Sequence, residues 1–181
     1  MQSEELINKN VMKKINSLIF LLSLVHFLNA QNFNRFIVDP QKQDTILVGY
    51  CTKTIFQTPP YSEWFIPEYK SYVPNKDIIN ELKDLLSEEL HWVVVFGSWC
   101  SDSKEHLPHF FNIIDKLNIY NDMIDIIAVD RKKQAAEIDL TMYNIEKVPT
   151  FIFYKNGKEI GRIIETPQTT LENEMKLIIK K

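Results

Sequence analysis

Residues 92–108 read WVVVFGSWCSDSKEHLP. Trp92-Val93-Val94-Val95-Phe96 is an unbroken apolar run rich in β-branched residues. That is the pattern of a strand buried on both faces. Gly97 and Ser98 break the run, Trp99-Cys100 follows, and a helix-like segment opens with Ser101, Asp102 and Ser103. Cys100 is therefore expected where a strand hands over to a helix. The free N–H groups of a helix N-terminus stabilise an anion, so a cysteine there is favoured as a thiolate. Two readings of Cys100 are open: a reactive thiol, or a small apolar side chain filling a gap.

Downstream, Leu107, Phe110, Phe111, Ile114 and Leu117 continue the apolar face of a helix to residue 117. Pro108 lies inside that helix and should kink it. His106 and His109 share a face beside Glu105, but no second cluster of ligands accompanies them, so no metal site is expected. Ile124 to Val129 reads as a second buried strand and Gln134 to Tyr143 as a short helix. Val148-Pro149-Thr150 introduces a strand over 151–154, Asn156-Gly157 is a hairpin turn, and 158–164 is its antiparallel return. A helix from Thr166 or Thr169 to Lys181 closes the chain.

Upstream, Asn75 is a good N-cap for an amphipathic helix over 76–89, with Ile78, Ile79, Leu82, Leu85 and Leu86 at helical spacing. His91 falls at the entry to the buried strand and reads as a solvated junction residue. Residues 31–43 read as an irregular lead-in, 45–51 as a strand and 52–60 as turns, since Pro59-Pro60 forbids helix or central strand. Between prolines 60, 67 and 74 lies a dense aromatic segment, Tyr61 to Tyr72. It is a packing lid or a substrate-facing wall, and packing is the favoured reading. Helices alternating with strands imply an α/β fold with a central mixed β-sheet flanked by helices on both faces.

The first thirty residues carry Lys13-Lys14, an apolar stretch from Leu18 to Leu28, and Ala30 as a small residue for cleavage. This is the layout of a secretory signal peptide, with Met12 as an alternative start. Export to the periplasm is the expectation; a membrane-anchoring N-terminal helix and a cytoplasmic chain are the alternatives. The net charge of −3 offers nothing to nucleic acid. Four glycines and no Gly-rich phosphate loop leave no nucleotide site of that kind. No Gly-x-Ser-x-Gly elbow occurs.

Two separated stretches agree on a family. Trp99-Cys100-Ser101-Asp102-Ser103 resembles the Trp-Cys-x-x-Cys active site of the thioredoxin superfamily. Val148-Pro149-Thr150 with the hairpin after it resembles that family's cis-proline loop, and Pro108 the kinking proline of its active-site helix. The resemblance covers residues 76–181. It implies a thioredoxin-like three-layer fold there, after a signal peptide (1–30) and an N-terminal extension (31–75). It also implies Cys100 as the nucleophile, with Trp99, Val148 and Pro149 facing a bound peptide, and no cofactor.

The departures narrow the chemistry. Ser103 stands where the family has its second cysteine, the thiol that resolves the mixed disulfide. Val94 stands where the family has a buried aspartate, six residues before the nucleophile. Asp102, an anion beside Cys100, opposes thiolate formation. Ser103 either donates a hydrogen bond to the Cys100 thiolate or is a residue of good capping type at the helix start. Cys51 is either a distant resolving thiol or, as the favoured reading, a buried apolar one. The expected function is monothiol thiol-disulfide exchange with protein or low-molecular-weight thiols and disulfides. The alternative is a redox-inactive peptide-binding module with the same fold.

Overall fold

The computed structural model describes residues 33–87, 89–135 and 137–181. The expected signal peptide lies outside them. The described residues hold six strands: β1 (Arg35–Val38), β2 (Thr45–Tyr50), β3 (Leu90–Phe96), β4 (Ile124–Ala128), β5 (Thr150–Lys155) and β6 (Lys158–Ile164). They also hold four α-helices: α1 (Ser62–Ser71), α2 (Lys76–Leu85), α3 (Ser101–Leu117) and α4 (Leu171–Ile179). The strands form one mixed sheet in the order β1-β2-β4-β3-β5-β6. β3 is central, parallel to β4 with Trp92 opposite Ile124, and antiparallel to β5 with Val95 opposite Thr150. The sheet with its flanking helices has the thioredoxin-like α/β architecture expected from the sequence.

Strand residues alternate between faces, and the core divides accordingly. Trp92, Val94 and Phe96 join Leu107, Phe110, Phe111 and Ile114 of α3 and Leu171 and Met175 of α4. Val93, Val95, Ile127 and Ile152 turn the other way, against Ala135, Tyr143 and Val148. Both faces are covered, so β3 has no polar alternation to show.

The second cover differs from expectation. Residues 134–143 form no α-helix; the segment holds only a short 3₁₀ turn at Thr141–Tyr143 and a bridge between Ala135 and Ile138. Asp130 Oδ1 accepts the N–H groups of Lys132 (2.8 Å) and Gln134 (2.9 Å), and Asp139 Oδ1 those of Thr141 (2.9 Å) and its hydroxyl (2.7 Å). These aspartate turns satisfy the backbone in a non-helical form and outcompete a short helix. The four α-helices thus pack on one face, and the third layer is an irregular segment.

The N-terminal region also differs. Residues 35–38, read as irregular, form edge strand β1, with Arg35 opposite Val48 and Val38 opposite Thr45. Its alternating half-buried and exposed residues carry little hydrophobic signal. The aromatic segment folds as α1, with Pro67 inside it, and packs as a lid. Phe65 stacks on Phe56 at 4.8 Å, and Phe56 meets Phe96 of β3 edge-on at 5.5 Å.

Local signals elsewhere act as their chemistry dictates. Asn75 Oδ1 caps α2 by accepting the N–H groups of Asp77 (2.9 Å) and Ile78 (3.3 Å). The helix ends at Leu85, short of the expected residue 89. Asn156 and Gly157 both take positive φ, 53° and 72°, as the two-residue hairpin turn requires. His91 sits within β3 and pairs with Asp125 across the sheet at 2.9 Å. Pro108 is accommodated inside α3, which runs on to Leu117. No helix among the described residues is long and apolar enough to cross a membrane.

Candidate functional site

β3 ends at Phe96 and α3 begins at Ser101, so Gly97 to Cys100 form the turn between them. Two contacts shape it. Cys100 N–H donates to Gly97 O at 2.9 Å, and Ser98 Oγ, buried, accepts Leu47 N–H from β2 at 3.0 Å. Cys100 is the N-cap of α3: its φ and ψ are extended (−91°, 131°), and its carbonyl accepts Lys104 N–H at 3.0 Å. Its thiol is half-buried. The sulfur therefore stands beside unsatisfied helix N–H groups.

The Cys100 thiol donates to Val148 O at 3.3 Å, joining positions 48 residues apart. Val148 and Pro149 are buried, and the peptide between them is cis. The loop is pinned on both sides. Glu165 N–H donates to Pro149 O at 2.7 Å and Thr150 Oγ1 to Lys147 O at 2.7 Å. Lys147, next to Val148, bonds Glu165 at 2.6 Å, which holds its ammonium above the usual lysine range. The Cys100 sulfur thus lies beside a loop held in place from both sides.

Ser103 is fully buried, and its Oγ accepts Gly97 N–H at 3.2 Å. No hydrogen bond joins it to Cys100 among the described residues. The geometry draws neither reading of Ser103: its oxygen bonds neither the Cys100 sulfur nor a helix N–H, but accepts Gly97 N–H and closes the strand-to-helix turn. Val94 lies wholly within the apolar helix-side core, so no acid reaches the site from that position.

Trp99 is half-buried. Its Nε1–H donates to Val129 O at 2.8 Å, and the Arg131 guanidinium lies 4.8 Å from the ring centroid. Arg131 Nε in turn bonds Asp39 Oδ2 at 2.5 Å. Neither Arg131 nor Asp39 was a candidate in the sequence. They are 92 residues apart, and no local motif pairs them.

Cys51 is on the other side of the sheet. It packs in the helix-side core at 4% exposure, and its thiol donates to Gly49 O at 3.6 Å. Burial pushes that thiol up to about 12. Cys100 packs against the opposite cluster, so the structure does not bring the two sulfurs together, and both are free. Among the described residues no group of three or more His, Cys, Asp or Glu is placed to hold a metal ion.

A half-buried cysteine at a helix start, facing a Val-Pro loop before a terminal hairpin, directs attention to one lineage. A sequence model of the thioredoxin family matches residues 64–177, a span holding Cys100, the Val148-Pro149 loop and the β5–β6 hairpin. The chain belongs to the thioredoxin family. It is 28% identical over 103 residues to the thioredoxin of Gallus gallus, covering 57% of this chain and 91% of that one. It is 32% identical over 88 residues to a thioredoxin-like protein of Fusarium culmorum, covering 45% of this chain and 66% of that one. Among solved structures, reduced Schistosoma mansoni thioredoxin is 28% identical, with a TM-score of 0.38, 59% of this chain covered and 90% of that one. The thioredoxin family acts on protein disulfides and thiols.

Proposed function

We propose that this thioredoxin-family protein is a monothiol oxidoreductase that exchanges disulfides through Cys100. The observation that carries the reading is the placement of the Cys100 sulfur at the start of α3, half-buried and 3.3 Å from Val148 O. The second position of the motif is Ser103, already engaged with Gly97.

The reaction has two steps. The Cys100 thiolate attacks one sulfur of a substrate disulfide; a bond forms from Sγ to that sulfur, and the other substrate sulfur leaves as thiolate. Serine cannot resolve the adduct, and Cys51 lies in the opposite core. A second thiol, from a small molecule or a protein, attacks the substrate sulfur and returns Cys100 as thiolate. The cycle transfers a disulfide from one thiol pair to another with no net change in the enzyme, which suits isomerisation or removal of thiol caps. An exported setting belongs to this reading and is supported by the basic and apolar segments within residues 13–30.

The test is reduction of a glutathione–peptide mixed disulfide in the presence of a monothiol, comparing the native chain with Cys100→Ser. Turnover should require Cys100. Equal rates for the two would sink the reading and leave the redox-inactive peptide-binding alternative.

A further inference from the structure

We propose that Arg131, anchored by Asp39, is a positioning residue that clamps Trp99, the residue before Cys100, and so sets one wall of the cavity that Trp99 shares with Lys104 and Tyr61. Its consequence for substrates rests on the exchange reaction above; its existence rests on side-chain geometry alone.

Three contacts hold the indole. Its nitrogen edge lies against Gly97, so close that a Cβ there would fall 2.7 Å from Trp99 Cε2. Nε1–H is tied to Val129 O. The guanidinium of Arg131 covers the ring at 4.8 Å, within range of cation–π attraction. Of the three, only the guanidinium has a side chain free to leave.

Asp39 prevents that. It is 1% exposed, and its carboxylate accepts Arg131 Nε–H and Gln41 N–H (2.9 Å). The Arg131 hydrogen bond is the first cause holding the Asp39 carboxyl below the usual carboxylate range. Opening the pair would leave the Asp39 carboxylate with backbone N–H donors alone and forfeit its charge-assisted hydrogen bond, so the pair resists opening. Arg131 also satisfies two demands that a lysine cannot meet together: a flat face for the indole and a directed N–H for the carboxylate.

The clamp ends at a cavity. Trp99, Arg131, Ser98 and Lys104 form one side of a space of about 340 Å³, and Thr45 and Tyr61 form part of the other. Lys104 is one turn along α3 from Cys100. The orientation of Trp99 therefore bounds this space, which Cys100 itself does not line. Asp39 precedes the stretch matched by the family model, so the N-terminal segment reaches the site through this pair.

The experiment uses the full chain with Arg131→Met, Arg131→Lys and Asp39→Asn. The first readout is acrylamide quenching of Trp99, obtained by difference from matched chains carrying Trp99→Phe. Arg131→Met should raise Trp99 quenching about two- to fivefold, and Arg131→Lys should not restore the native value. The second readout is exchange with a peptide disulfide. KM should rise about three- to fivefold in Arg131→Met with kcat little changed, because positioning for substrate is lost while the sulfur is untouched. Iodoacetamide labelling of Cys100 should stay near native. Unchanged Trp99 quenching in folded Arg131→Met, or full rescue by lysine, overturns the proposal. If Arg131→Met fails to fold, Asp39→Asn carries the same quenching test. A native chain with no exchange activity would defeat the oxidoreductase reading, while the quenching measurement still decides the clamp.

Discussion

Cys51 follows β2 and turns into the helix-side core, 4% exposed, with its thiol donating to Gly49 O. Cys100 opens α3 on the other face, half-buried, with its sulfur against Val148 O. The two residues are the same amino acid in one fold, and differ in surroundings. At Cys51, desolvation disfavours the thiolate and no cation compensates it. At Cys100, the sulfur is half-buried at a helix N-terminus, beside Val148 O. The surroundings of each thiol follow from its position in the sheet sandwich: Cys51 packs under the helices, and Cys100 lies against the loop-covered face beside Val148.

The sharpest way to break that contrast is to remove each sulfur in turn. Cys100→Ser should lower the exchange rate by about 10³-fold or more, since a serine alcohol is a poor nucleophile at neutral pH. Cys51→Ala should leave the rate within about twofold, because a buried thiol with no cation is inert. A mixed-disulfide reduction assay reads both, and loss of activity in Cys51→Ala would make Cys51 a participant.

A substitution in the helix-side core tests the other half of the contrast. Phe110 is fully buried between Trp92 and Phe151, with ring centroids at 5.8 and 4.9 Å. Phe110→Ala should cost about 3–5 kcal/mol in urea unfolding. Trp99→Ala, half-buried on the opposite face, should cost clearly less. Equal losses would mean that the loop-covered face is as structural as the helix-covered one.

Alkylation of the native protein compares the sulfurs directly. With its thiol pushed up to about 12, Cys51 is protonated at pH 8, and its thiolate fraction there is on the order of 10⁻⁴. Iodoacetamide should label Cys100 at least about 100-fold faster, and Cys51 only after unfolding, as read by mass spectrometry.

The smallest effect is a pH dependence of stability on the helix face. Burial is the first cause lowering the basicity of His109, against the opposing hydrogen bond that the imidazole donates to the Glu68 carboxylate. The folded chain therefore resists protonating His109, while the unfolded chain takes up that proton near the ordinary pH of about 6.5. The stability contributed is present above that pH and is lost as pH falls through it toward the folded value. Urea midpoints at pH 7 and pH 5 should show a decline that His109→Phe reduces, and an unchanged decline in that variant would remove His109 as its source.

Much of the candidate site could be read from residues close together in the chain. The run from Trp92 to Phe96, the break at Gly97 and the polar start at Ser101 are local signals, and strand, turn and helix follow from them. Asn156-Gly157 marks its hairpin for the same reason. The helix expected over 134–143 failed on equally local grounds. Asp130 and Asp139 hold turn N–H groups that a helix would need, and apolar spacing alone does not register that competition. Strand β1 was missed because an edge strand buries little and so alternates weakly.

What the sequence by itself determined is the alternation of elements and the chemical type of the site: a cysteine at a strand-to-helix turn, with serine where a second thiol would stand. Short-range sterics and hydrogen bonding suffice for that. Tertiary structure alone decided which face each sulfur occupies, that Val148 meets Cys100 across 48 residues, and that Asp39 reaches Arg131 across 92. Those outcomes depend on which side of the sheet each segment crosses and which distant groups must be satisfied once buried. No neighbouring residue records either quantity, because both arise only when the chain closes on itself.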